Sequence, residues 1–118
     1  MNDRAPAGSQ IEAFVAEDGD GVVVLRGEHD LATTPDLRAA LGRVRTRSDR
    51  LLIDLGECSF LDSSVLGVLI GELRRSRERA SALIIVLPRG GASSVRRTLE
   101  LTGLLDVFDV RDSREAAR

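Results

Sequence analysis

The sequence predicts an α/β fold: a mixed β-sheet of about four to five strands flanked by helices and entered through an N-terminal β-hairpin. Three observations carry this expectation. Two nearly continuous apolar runs, 51–55 (LLIDL) and 82–87 (ALIIVL), have the pattern of strands covered on both faces by helices. Capped segments of helical spacing lie between the short runs, and this alternation requires parallel crossovers. A length of 118 residues with 42% hydrophobic side chains suits one core, buried well enough to need neither disulfide nor metal.

The elements follow in the order β β α β α β α β. Residues 1–9, with Pro, Gly, Ser, Asn and Asp and almost nothing to bury, read as a flexible leader to a single domain over 10–118. The run 11–16 (IEAFVA) ends in the turn cluster Glu17-Asp18-Gly19-Asp20-Gly21 and pairs as a hairpin with 22–25 (VVVL). Thr34-Pro35-Asp36 then supplies a cap, an early proline and a first-turn acid, after which Leu37, Leu41 and Val44 share one helical face. A second helix starts at Asp62-Ser63-Ser64. It turns Leu66, Leu69, Ile70 and Leu73 inward, with Glu72, Arg74, Arg75, Arg77 and Arg79 mostly outward. Gly67 and Gly71 cost that helix about 1 kcal/mol each, which close approach to the sheet or to a partner would explain. A third helix begins at Ser93 or Ser94, buries Val95 and Leu99 with Thr102 next on that face, and stops at Gly103 in a left-handed position. Residues 106–110 (DVFDV) read as an edge strand, and 113–118 as a last helical turn or a frayed end.

The ionisable inventory excludes more than it suggests. All 17 basic residues are Arg, so a P-loop, a Schiff base and any pocket that needs Lys are out. One Cys and one His cannot build a Cys/His zinc site or a Cys-x-x-Cys pair, and no cofactor is expected. A net charge of -2 and 3% aromatic residues argue against direct nucleic-acid binding. The longest apolar run, 65–70 (VLGVLI), is too short to insert in a membrane, and the first ten residues lack the apolar core of a signal peptide, so a cytoplasmic protein is expected.

One segment carries candidate chemistry. Residues 58–67 (CSFLDSSVLG) join a buried strand to a helix start, where unpaired N–H groups and the helix dipole favour an anion beside two exposed hydroxyls. Phosphate on Ser64 would place about -1.5 to -2 charges next to Asp62. The same residues also read as plain helix caps. Enzyme readings fail: a serine hydrolase lacks a base and a Gly-x-Ser-x-Gly elbow, and a cysteine phosphatase needs Arg six residues after Cys58, where Ser64 stands. Cys58 reads as a small buried residue or a quiet loop thiol, and His29, between Glu28 and Asp30, as a solvated turn residue. The stretch Gly90-Gly91-Ala92-Ser93-Ser94 reads as a strand-to-helix turn.

Three blocks, 25–33 (LRGEHDLAT), 52–55 (LIDL) through 60–64 (FLDSS), and 95–99 (VRRTL) through 101–104 (LTGL), together resemble the STAS domain of anti-sigma factor antagonists, in order and spacing over residues 11–112. The resemblance implies a STAS-like sheet and no enzymatic activity. It implies Ser64 as phosphoacceptor, with Asp30, Thr33, Asp62, Ser63, Val65, Leu66 and Gly67 at the phosphorylation site and partner interface. It also implies the partners: an anti-sigma factor with serine kinase activity, bound by the unphosphorylated form so that a sigma factor is released, and a serine phosphatase that resets the switch. Val65 replaces a Gly common in the family and puts bulk beside Ser64. The alternative is a STAS-type subunit of a lipid transporter or signalling scaffold without a phosphorylation switch.

Overall fold

The computed structural model describes residues 8–89 and 94–117. Five strands form one sheet in the order β1-β2-β3-β4-β5: β1 (Gln10–Val15), β2 (Gly21–His29), β3 (Arg50–Leu61), β4 (Ala82–Val86) and β5 (Asp109–Arg111). β1 pairs antiparallel with β2, and every later pairing is parallel. The hairpin closes through Ala16–Asp20 backbone bonding, the Asp18 carboxylate accepting from Asp20 N–H at 3.0 Å, and a left-handed Gly19. Ser9, placed in the expected leader, donates its hydroxyl to the Glu28 carbonyl; residues 1–7 lie outside the described residues.

The helices α1 (Thr34–Arg45), α2 (Ser63–Glu78) and α3 (Ser94–Leu101) pack on one face of the sheet. There Leu37, Leu41, Val65, Leu69, Val95 and Leu99 meet Val23, Leu25, Ile53, Leu55 and Ile85. Coverage by helices on both faces, expected from the apolar runs, does not occur. The opposite face, Val22, Val24, Leu52, Ile84 and Val86, is covered by Phe14 and Ala16 of the hairpin side and by Ala117 of the C-terminal turn. Continuous apolar strands need both faces dry, and a short chain end can supply that as well as a helix.

β3 is much longer than its apolar run. Its register against β2 passes from Val24↔Asp54 to Arg26↔Glu57, and from Gly27↔Cys58 to Glu28↔Phe60, so β3 carries one extra residue in each interval. Two bulges turn the side-chain period from two to three. Leu55, Cys58 and Leu61 thereby stay in the core, while Gly56, Glu57, Ser59 and Phe60 are exposed.

Other expectations shift in detail. Thr34 is the first residue of α1 rather than its cap; a 3-10 turn, Leu31–Thr33, precedes it, and its hydroxyl donates to the Leu31 carbonyl at 2.8 Å. α3 starts at Ser94, whereas Ser93 and the rest of 90–93 lie outside the described residues. Thr102 is exposed and bonds back to the Thr98 carbonyl at 2.8 Å, and Gly103 is left-handed. The last strand is shorter than 106–110, because Leu104–Asp106 forms a 3-10 turn.

Candidate functional site

The bulges on β3 let β2 and β3 end level, with His29 paired to Leu61. The next residues, Asp30 and Asp62, therefore emerge together at the carboxyl edge of two parallel strands, and each starts a helical segment. Asp30 accepts from Ala32 N–H at 2.9 Å and caps the 3-10 turn. Asp62 caps α2, its Oδ1 accepting from Ser64 N–H at 3.0 Å and Val65 N–H at 3.2 Å. These are the first-turn donors that were expected to be unpaired, so the anion-favouring position at the head of α2 is already occupied by a carboxylate.

Of the two hydroxyls expected to be exposed, Ser63 is exposed and Ser64 half-buried. Among the described residues the Ser64 hydroxyl has no protein hydrogen-bond partner. Val65 is fully buried. Its bulk points into the core and not toward the surface beside Ser64, so it leaves that surface unobstructed. Leu66 is buried as well, and Gly67 returns to the surface.

His29 differs most from its expected place as a solvated turn residue. It is 0% exposed. Its Nε2 lies 2.9 Å from the Arg26 carbonyl and so carries the hydrogen of that bond, while Nδ1 meets the Thr33 hydroxyl at 3.1 Å. The buried Thr33 hydroxyl is also 3.1 Å from the Asp30 carbonyl. The ring thus ties the strand end to the turn that presents Asp30. A signal for this existed in the sequence: β2 has no extra residues, and period two from Val23 and Leu25 puts residue 29 on the inward face.

Sequence reasoning also missed two apolar side chains beside the site. Leu31 is 69% and Phe60 44% exposed, following Asp30 and preceding Asp62 by one and two positions. Glu72, expected outward, is 4% exposed between α1 and α2. Arg45 grips it through Nε at 2.9 Å and a second guanidinium nitrogen at 2.6 Å, which pushes the Arg45 pKa further above its ordinary value. Gly67 and Gly71 face open space, with nothing within 4 Å of a built Cβ, so close approach to the sheet is not their reason. Cys58 lies in the core, its thiol pushed up to about 11 by desolvation.

Among the described residues no group of three or more His, Cys, Asp or Glu is arranged to hold a metal, and no helix is long and apolar enough to cross a membrane. The assembly is a small α/β domain that presents a helix-start hydroxyl next to the Asp62 cap, at the strand edge from which Asp30 also emerges. Residues 13–117 match the STAS domain family, and the chain belongs to it. It is 33% identical over 91 residues to the anti-sigma-B factor antagonist of Listeria monocytogenes, spanning 76% of this chain and 77% of that protein. The Staphylococcus aureus anti-sigma-B factor antagonist is 31% identical over 94 residues, 79% and 84% of the two chains. The crystal structure of an anti-sigma factor antagonist from Mycobacterium paratuberculosis superposes with a TM-score of 0.76 at 29% identity, over 95% of this chain and 92% of that one. The unphosphorylated form of the anti-sigma factor antagonist SpoIIAA shares the fold, with a TM-score of 0.74 at 22% identity over 92% of each chain.

Proposed function

We propose that this chain is a cytoplasmic, non-enzymatic anti-sigma factor antagonist whose binding is switched off by phosphorylation of Ser64. The observation that carries the proposal is the Ser64 hydroxyl itself, accessible at the head of α2 and without a protein partner among the described residues. The names of its relatives support the partner class, an anti-sigma factor. In the proposed cycle this factor is also the serine kinase, the unphosphorylated domain binds it and frees a sigma factor, and a serine phosphatase restores the hydroxyl.

The physical logic of the switch is electrostatic. A phosphate on Ser64 adds about -1.5 to -2 charges, roughly doubling the net charge of -2. It arrives beside the Asp62 carboxylate, which holds the Ser64 and Val65 N–H groups. The dianion either shares those donors with Asp62 at the cost of like-charge repulsion or projects outward into the partner. Both responses change the binding surface formed by Asp30, Asp62, Ser63, Ser64 and Gly67 without disturbing the core beneath it. Thr33, Val65 and Leu66 act from below by holding that surface in place.

Incubation with a candidate anti-sigma kinase and ATP, followed by peptide mass spectrometry, tests the assignment: phosphate is expected on Ser64 alone. Ser64→Ala keeps partner binding, and Ser64→Asp weakens it by about 2 to 5 kcal/mol, tens- to thousands-fold in affinity. Phosphate on a different residue, or equal binding by the two variants, rejects the proposal.

A further inference from the structure

The net charge of -2 conceals a strong segregation. Residues 34–49 and 63–80, which contain α1 and α2, carry eight Arg against four acids. Between the two helices runs a groove of about 270 Å³ lined by Arg38, Leu41 and Arg45 on one side and Gly67, Val68, Gly71, Glu72 and Arg75 on the other. Arg45 is consumed by Glu72, whereas Arg38 and Arg75 are exposed and in no ion pair among the described residues. The floor is formed by Leu41, Val68 and the Arg45–Glu72 pair, and the rim is positive.

We infer that this groove docks an acidic amphipathic helix of a protein partner. A helix packs closest where the opposing ridge is small, and Gly67 and Gly71, one turn apart, lower the α2 wall at that point. Carboxylates flanking the small face of the incoming helix would meet Arg38 and Arg75 in charge-assisted pairs. An anionic membrane would also answer to the Arg residues but has no use for a groove with a lowered wall, and so it fits less well. Ser64 stands on the same face of α2, one turn before Gly67 and Val68. If Ser64 is phosphorylated as proposed above, the dianion sits at the head of the groove and repels an acidic occupant. This coupling rests on the Ser64 proposal; the docking surface does not.

The probe is a fluorescent, helix-stapled peptide of four turns with an Ala stripe flanked by Glu, titrated into the isotopically labelled full chain by anisotropy and NMR. Saturable binding with shifts confined to α1 and α2 is expected. Arg38→Glu with Arg75→Glu weakens it at least about tenfold, as like charges replace opposite ones. Gly71→Leu blocks it while leaving the chain folded, because a side chain there meets open space. Absence of saturable binding, shifts mapping elsewhere, or equal binding of the Lys-for-Glu peptide overturns the inference. So does insensitivity to the Arg variants, or α1–α2 signals that respond to phosphatidylglycerol vesicles and not to the peptide. Ser64→Ala should bind the probe as the parent does and Ser64→Glu several-fold more weakly; an unchanged Ser64→Glu overturns the coupling, independently of the mass-spectrometric result.

Discussion

Raising the pH through 9 should remove a definable part of this fold's stability, with Cys58 as the cause. The thiol lies on the inner face of β3 and donates to the Phe60 carbonyl at 3.4 Å. Desolvation raises its pKa from 9.0 to about 11. Between those values the unfolded chain has lost the thiol proton and the folded chain keeps it, so the unfolded state binds fewer protons and stability falls as pH rises. The contribution is fully present below 9.0 and exhausted above about 11. The slope is about 1.4 kcal/mol per pH unit, and the total about 2 to 3 kcal/mol. Composition isolates the effect, since a chain with no Lys and no Tyr has no other side chain titrating between its amino terminus and its arginines. Urea unfolding across this interval checks it, followed by circular dichroism because Trp is also absent. Cys58→Ala should give a flat profile. An equal slope in Cys58→Ala, or native thiolate absorbance rising with the ordinary midpoint of 9.0, would refute the reasoning.

Three further outcomes follow from particular contacts. Arg45→Met alone leaves Glu72 buried and unpaired and should cost about 3 to 5 kcal/mol in denaturant unfolding, whereas Arg45→Met with Glu72→Leu should recover most of that loss. Ala80, left-handed at φ 53°, closes α2 through the bond from Ser81 N–H to the Ser76 carbonyl at 2.8 Å; Ala80→Gly should raise stability by about 1 kcal/mol in the same assay. Asp62→Ala removes the cap of α2 and should destabilise by about 1 kcal/mol; a loss confined to partner binding, with unfolding unchanged, would contradict the cap.

The sequence makes the strands and helices legible where one physical signal acts alone. β4 and the Asp62 start of α2 fall where apolar runs and caps put them. The second half of β3 does not, because its two bulges replace alternation by a three-residue spacing that imitates a loop. His29 is hidden by its neighbours Glu28 and Asp30, which look like a solvated turn, although the parity of β2 already assigned it inward. Glu72 is hidden differently. A single charge on a helix reads as outward until a partner from another helix is known, and Arg45 is 27 positions away. Pairing across long sequence separation is the information that composition and local pattern lack.

The same misread features make the site. Without the two extra residues, β3 would end out of step with β2, and Asp30 and Asp62 would not emerge side by side. Without His29 beneath it, the Asp30 turn would lose a bridge to the Arg26 carbonyl and the Thr33 hydroxyl. Without the Arg45–Glu72 pair, α2 would lose its one ion pair to α1 among the described residues, at the groove that the two helices line. The proposed charge switch needs this rigidity. A phosphate can report to a partner only if the surface around it is held still enough that the added charge, and not a rearrangement of the core, is what the partner meets.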